Sequence, residues 1–276
     1  MLTEKQNKII ENMSFDDYRA HAAVSQSELK NLAKCPLYYK YKKENPSDTD
    51  AMRIGRMIHT YILEQEKFED EYFITPKITR RGKAWEELKE KAGKKEIVFE
   101  EDMENAKGMR DMLLKLEFFK DSLAKSSKES SVFWQDDDTG IDCKARIDGY
   151  SEYYNILYDL KTTRDCIEFR KSFFQYRYHI QAAFYMDSIA KVTGKMPQGF
   201  IIFAVEKEPP FLCKSYFIDF RDEIIQAGRD EYKYLLNYYS ECESKNKFDT
   251  AFENEMERID YLPSWYNKLT AQQEEL

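Results

Sequence analysis

Residues 142–161, Asp-Cys-Lys-Ala-Arg-Ile-Asp-Gly-Tyr-Ser-Glu-Tyr-Tyr-Asn-Ile-Leu-Tyr-Asp-Leu-Lys, constrain the fold more than any other stretch of the chain. Two runs rich in β-branched and aromatic residues flank a polar turn, which predicts a pair of neighbouring strands. Each run delivers an acid near its end, Asp148 in the first and Asp159 in the second. Side chains alternate faces along a strand, so Asp159 and Lys161 share one face while Leu160 points the other way, into a core. Pairing of the two strands brings Asp148 within reach of the same spot. Two carboxylates and an ammonium converging on one point suit a divalent cation with a cationic helper, the equipment for hydrolysing a phosphodiester. The competing reading is an Asp and a Lys on a solvated strand end. The apolar run Ile156-Leu157-Tyr158 ahead of Asp159 weighs against it, because uncompensated charge where burial begins is costly. Spacing alone leaves both readings open.

Composition narrows the class. At 276 residues, with 42% hydrophobic and 15% aromatic residues, the chain has enough apolar material for a real core. No apolar leader follows the start, and the longest apolar stretch, Phe200-Ile-Ile-Phe-Ala-Val205, is too short to span a bilayer. A cytoplasmic protein without a membrane partner is expected. Cysteines 35, 143, 166, 213 and 242 are scattered, with no C-x-x-C pair, as expected of reduced thiols. The net charge of −8 is unusual for a nucleic-acid binder, but it is unevenly spread. Residues 216–276 carry 14 acids against 7 bases, whereas 30–43 hold five lysines and no acid. Residues 76–95 hold eight bases against three acids, and 161–180 five against two. A basic groove with an acidic back follows.

Helical patterns fill 27–43, 51–65, 82–92 and 101–120, with Ser27 as N-cap of the first. Strand patterns follow at 131–136, 141–150, 155–161, 199–206 and 212–219, and helices return at 166–176, 178–193 and 221–240. Residues 44–50 and 125–130 read as loops. The order predicts an α/β fold with a mixed central sheet flanked by helices, preceded by N-terminal helical elements.

The pattern Arg146-Ile-Asp148 … Tyr158-Asp159-Leu-Lys161-Thr162-Thr163 resembles the core of the PD-(D/E)XK nuclease superfamily. Ser25-Gln-Ser27-Glu-Leu-Lys-Asn-Leu-Ala-Lys-Cys35-Pro36 is similar to the opening helix of its RecB-like branch. Gly55-Arg-Met-Ile-His59 matches that branch's G-x-x-x-H helix, and Gln181-Ala-Ala-Phe-Tyr185 its Q-x-x-x-Y helix. Arg80-Arg81-Gly-Lys83-Ala-Trp85 and Leu262-Pro263-Ser-Trp265 look more narrowly like RecE-type (exodeoxyribonuclease VIII) exonucleases of prophages. The motifs span 25–265. One nuclease domain over 1–276 is expected, with an N-terminal extension at 1–24 and a tail at 266–276. The resemblance implies a restriction-endonuclease-like fold. It also implies a Mg²⁺-dependent exodeoxyribonuclease that degrades linear double-stranded DNA 5′→3′ in phage-type recombination. A ring-shaped homo-oligomer and a single-strand annealing protein as partner are implied with it. Some RecB-type relatives hold an iron–sulfur cluster with one early and three late cysteines. Cys35 lies near the early position, but no late cluster follows, so no iron–sulfur cluster is expected and Cys35 reads as a packing residue.

Carried onto this chain, the resemblance assigns the metal to His59, Asp148, Asp159 and the backbone carbonyl of Leu160, with Mn²⁺ able to substitute for Mg²⁺. Lys161 orients the attacking water or offsets oxyanion charge. Glu129, before the strand 131–136, joins the site as a secondary acid. Asp142, an even six residues before Asp148, reads as a turn residue or an outer acid. Gln181 and Tyr185, an i,i+4 pair on one helix face, are assigned to a phosphate or the catalytic lysine, against a bland reading as half-buried helix residues. Gly55 costs about 1 kcal/mol in a helix, which close approach to the sheet or to DNA would justify. Arg53, Arg56, Arg80, Arg81 and Lys83 are candidates for backbone phosphates, with Trp85 for an end base. Thr162 and Thr163 either bond phosphate or cap the strand end. Two other readings stay in view: a structure-specific or restriction-type endonuclease, and a non-catalytic DNA-end binding module on the same fold.

Overall fold

The apolar run at 200–205 folds as an inner strand of the main sheet. Phe200, Ile202 and Ala204 enter one core, while Ile201, Phe203 and Val205 enter another. A strand buried on both faces needs helices on both, and that sets the layering. The computed structural model describes residues 7–249. In chain order its elements are β1 (Lys8–Ile10), α1 (Phe15–Ala20), β2 (Val24–Ser25), α2 (Gln26–Leu32), α3 (Pro36–Glu44), α4 (Asp50–Leu63), α5 (Gln65–Glu71), β3 (Tyr72–Thr75), α6 (Lys83–Ala92), β4 (Glu96–Phe99), α7 (Glu100–Leu113) and α8 (Glu117–Ala124). Then come β5 (Ser127–Gln135), β6 (Asp142–Ser151), β7 (Ile156–Thr163), α9 (Phe169–Gln175), α10 (Tyr178–Thr193), β8 (Gly199–Glu206), β9 (Cys213–Asp219) and α11 (Glu223–Ser244).

The main sheet runs β1-β5-β6-β7-β8-β9, with β2 also paired to β6. One core joins the sheet to α2, α10 and α11 through residues such as Leu29, Phe184 and Leu235. The other joins it to α4, α7 and α8 through Met57, Met109 and Phe119. A separate parallel pair, β3 with β4, carries α6.

One detail of this sheet builds the site. β5 and β6 pair along nearly their whole length, whereas β6 and β7 pair only at Gly149–Ser151 against Ile156–Tyr158. Beyond that point β7 stays with β8, and β2 takes the vacated edge of β6 in parallel at Cys143 and Lys144. The sheet therefore splits at Asp148 and Asp159. The inward rhythm of β6 also slips there: Cys143, Ala145 and Ile147 enter the first core at a spacing of two, and the next to enter is Tyr150. Opposite the slip, Glu129 has φ 47°, a left-handed conformation that costs a non-glycine residue energy and gathers at functional sites. Packing adds a constraint: a Cβ on Gly149 would lie 1.9 Å from the ring of the buried Tyr158.

Several expectations are corrected. The helix expected over 27–43 is two helices, because Pro36 opens α3 and cannot continue α2. Its N-cap is Ser25 rather than Ser27: Ser25 is extended, and with Glu28 it completes a capping box. The span 101–120 divides between α7 and α8. Residues 127–130 belong to β5 rather than to a loop, since pairing with β6 overrides their polar composition. α1, α5 and the short strands β1 to β4 carry too little periodicity to be read from sequence. Gly55 does not approach the sheet; a Cβ there would meet nothing within 4 Å, and the residue faces an open cleft. The motif at 262–265 and the tail at 266–276 lie outside the described residues. Among the described residues, no helix is long and apolar enough to cross a membrane.

Candidate active site

At the split, Asp148 reaches across the gap, and its Oδ2 accepts the backbone N–H of Leu160 on β7 at 2.8 Å. The alternation expected along β7 holds: Tyr158 and Leu160 enter the second core, while Asp159 turns to the opposite face. Asp159 is 1% exposed, and both its oxygens are engaged, Oδ2 by Lys161 Nζ at 2.6 Å and Oδ1 by Gln181 Nε2 at 2.5 Å. α10, which is apolar nearly all round, supplies Gln181 from its buried face. Tyr185, one turn later, is buried beside Gln26 and Phe200, and burial raises its hydroxyl well above the ordinary value.

α4 brings His59 to the other side of Asp148, with Nδ1 3.4 Å from Asp148 Oδ2 and 3.6 Å from Glu129 Oε1. His59, Glu129 and Asp148 each offer a ligand atom, and these atoms lie within 4.8 Å of one another. One imidazole nitrogen and two carboxylate oxygens at that separation fit a divalent cation such as Mg²⁺ or Mn²⁺. Glu129 is therefore central to this group. Sequence places it in a loop; its register opposite Asp148 puts it here. Asp159 stands one strand away, paired with Lys161.

Arg146 has no role in the sequence reading beyond its place beside Asp148. It donates from Nε to Glu129 Oε2 at 2.7 Å and from Nη1 to the Met13 carbonyl at 2.9 Å, tying the glutamate to the N-terminal segment. Lys30 of α2 likewise has no role in the sequence reading. Its Nζ lies 5.4 Å from the centre of the Tyr178 ring, and Lys161 Nζ lies 4.9 Å from the same centre. The only signal for it in the sequence is the basic run 30–43.

Charges at the site are strongly coupled. Burial opposes charge on His59, but the carboxylates of Asp148 and Glu129 more than offset it and push the imidazole up to about 9. Burial, with the nearby Asp159, pushes Asp148 up to about 7. Glu129 is held low against burial by His59 and Arg146. Lys161 is held above its ordinary value by Asp159 and then Asp148, again against burial. These shifts favour an imidazolium beside the two carboxylates at neutral pH.

His59, Glu129, Arg146 and Asp148 floor a cleft of about 870 Å³, whose wall includes Arg56 and Phe15. Arg56 pairs through two bonds with Asp48, at 2.7 and 2.8 Å. Arg53 and Arg80 line a separate pocket of about 280 Å³ beside Trp85; Glu96 borders both spaces. Arg53 and Arg80 share Asp50 as an ion-pair partner, and the Arg80 guanidinium lies over the rings of Trp85 and Phe99. The structure thus covers Trp85 with an arginine. Arg81 is exposed, and Lys83, with a side chain 91% exposed, stands 3.7 Å from Glu87. Thr163 bonds both the carbonyl and the N–H of Asp165, closing the turn after β7, while Thr162 is half-buried. Asp142 is exposed at the far end of β6, accepting from Gln135. Cys35 Sγ accepts the Tyr38 N–H and caps α3.

Comparison with known proteins agrees with this architecture. A family profile described as a PDDEXK-like domain of unknown function (DUF3799) matches residues 25–261. A crystal structure of an exonuclease candidate from Eubacterium rectale superposes with a TM-score of 0.63 at 14% identity, covering 95% of this chain and 99% of that one. That likeness is one of fold. A phage-related exonuclease from Haemophilus somnus 129PT aligns at 15% identity and a TM-score of 0.35, covering 82% and 97% of the two chains. No curated protein matches the chain.

Proposed function

The chain belongs to this PDDEXK-like family (DUF3799), and from that premise we propose that it is a Mg²⁺-dependent exodeoxyribonuclease that degrades linear double-stranded DNA. The reading rests on one observation: the sheet parts where Asp148 faces Asp159 and Lys161, and His59 and Glu129 close on Asp148 from the other side.

His59, Glu129 and Asp148 would hold the ion, with Asp159 and the Leu160 carbonyl as further donors from β7. When bound, a divalent metal activates water and neutralises charge on the phosphate. The chain's own residues do the rest. The Leu160 N–H fixes the Asp148 carboxylate, and Arg146 fixes Glu129, so both acids are oriented before substrate arrives. Asp159 keeps Lys161 an ammonium at neutral pH, so the lysine acts as a fixed cation that offsets oxyanion charge rather than as a base. Gln181 holds Asp159 from behind. Arg56, in the cleft wall, is the best-placed arginine for a DNA phosphate; Arg53, Arg80, Arg81, Lys83 and Thr162 extend that surface. The RecE-type resemblance supports 5′→3′ polarity, a ring of identical subunits and an annealing partner.

Digestion of a linear duplex and a closed circular plasmid in Mg²⁺ tests the proposal. Loss of the linear duplex alone is expected, and Asp148→Asn, Asp159→Asn and Lys161→Met should each abolish it while melting as folded proteins. Cleavage of the circle would replace the exonuclease with an endonuclease, and near-wild-type turnover by the Asp159 variant would refute the site.

A further inference from the structure

Three buried or half-buried cations among the described residues show how such a charge is matched. Lys144 gives its protons to the carbonyls of Tyr18, Arg19 and His21 at 3.1, 3.3 and 2.6 Å. Arg229 grips Asp187 through two bonds of 2.7 Å, and Arg146 has Glu129. Lys30 is different. Among the described residues it forms no ion pair and no hydrogen bond, only the contact with the Tyr178 ring that it shares with Lys161. The anions nearest it are already committed: Asp159 to Lys161 and Gln181, and Glu231 to Arg177 and His179. Burial, with the neighbouring Lys161 ammonium, pushes Lys30 down to about 7.

Two ammoniums on one aromatic ring, one of them lacking an anion, are costly in the free protein. Such a cost is kept where an incoming ligand relieves it. We propose that Lys30 is a substrate-binding residue, which takes a DNA backbone phosphate beside the one that Lys161 serves. The inference rests on the nuclease reading for the identity of the anion. It assigns α2 a direct part in seating the strand, with the Tyr178 ring as a common platform that keeps the two ammoniums apart. A lysine suits the task because a compact ammonium can be partly neutral when alone and fully charged once a phosphate arrives.

The opposite signs of two effects make the test decisive. Lys30→Met keeps the length and apolar stem but removes the charge. Its melting temperature should equal or exceed that of wild type. Its affinity for a fluorescein-labelled linear duplex, measured by anisotropy in EDTA, should fall about tenfold or more, as for loss of one charge-assisted contact. The slope of log K against log salt should become shallower by about 1, and Lys30→Arg should restore it. A variant that melts several degrees lower yet binds DNA as wild type does would overturn the proposal and make Lys30 structural. Wild-type protein that binds the duplex in a Lys30-dependent way but never cuts it would sink the nuclease reading and leave this contact standing. Absence of any duplex binding would sink both.

Discussion

The bond from Gln181 to Asp159 joins α10 to β7, and its strength can be measured. Asp159 is 1% exposed and Gln181 5%, so neither end is exchanged for water. A hydrogen bond to a charged group contributes about 1.5–3 kcal/mol, and leaving a buried carboxylate oxygen unpaired costs a similar amount. Gln181→Met fills the same space without a donor. It should therefore lose about 2 kcal/mol, or roughly 4–8 °C in melting temperature for a protein of this size. In a double-mutant cycle with Asp159→Ala, the double variant should be more stable than the two single losses predict by about 2 kcal/mol, because removing one partner already removes the interaction. Chemical denaturation of the four proteins in EDTA gives the four free energies without interference from metal. Hydrolysis by Gln181→Met should also be slower, since Asp159 orients Lys161. Additive losses, with coupling below about 0.5 kcal/mol, would refute the claim that α10 holds Asp159 in place.

Further predictions concern pH and packing. In EDTA, His59 binds its proton more tightly in the folded than in the unfolded chain, so its contribution is complete below its ordinary value of 6.5 and is lost as the pH rises towards about 9. Asp148, raised to about 7, likewise favours the fold while protonated and loses that contribution between its ordinary 3.8 and about 7. The melting temperature of the wild type relative to that of His59→Gln should therefore fall as pH rises from 7 to 9; parallel curves for the two proteins over that range would contradict this. Gly149→Ala should cost about 1–3 kcal/mol by overpacking, because the Tyr158 ring it would strike is 1% exposed and bonded to Ser126. An unchanged denaturation midpoint would show that the ring can move.

What sequence determines here is what short-range periodicity can encode. Asp159 and Lys161 flank a buried Leu160 because alternation along a strand is a local property, and α10 is legible as 178–193 because its apolar residues recur over four turns. The family motifs add His59 and Gln181, which no pattern in the chain ties to Asp148 or Asp159. Tertiary structure alone decides where those motifs meet. The split between β6 and β7 follows from pairing choices made by β2 and β8, segments far apart along the chain. That split, the slip in β6 and the left-handed Glu129 opposite it turn a residue in an apparently polar loop into a neighbour of His59 and Asp148. Arg146 and Lys30 gain their places the same way, through contacts with segments that no local pattern marks. Local sequence sets which face a side chain takes, but register between distant segments sets what that face meets, because one residue's shift in pairing turns a strand's whole pattern over.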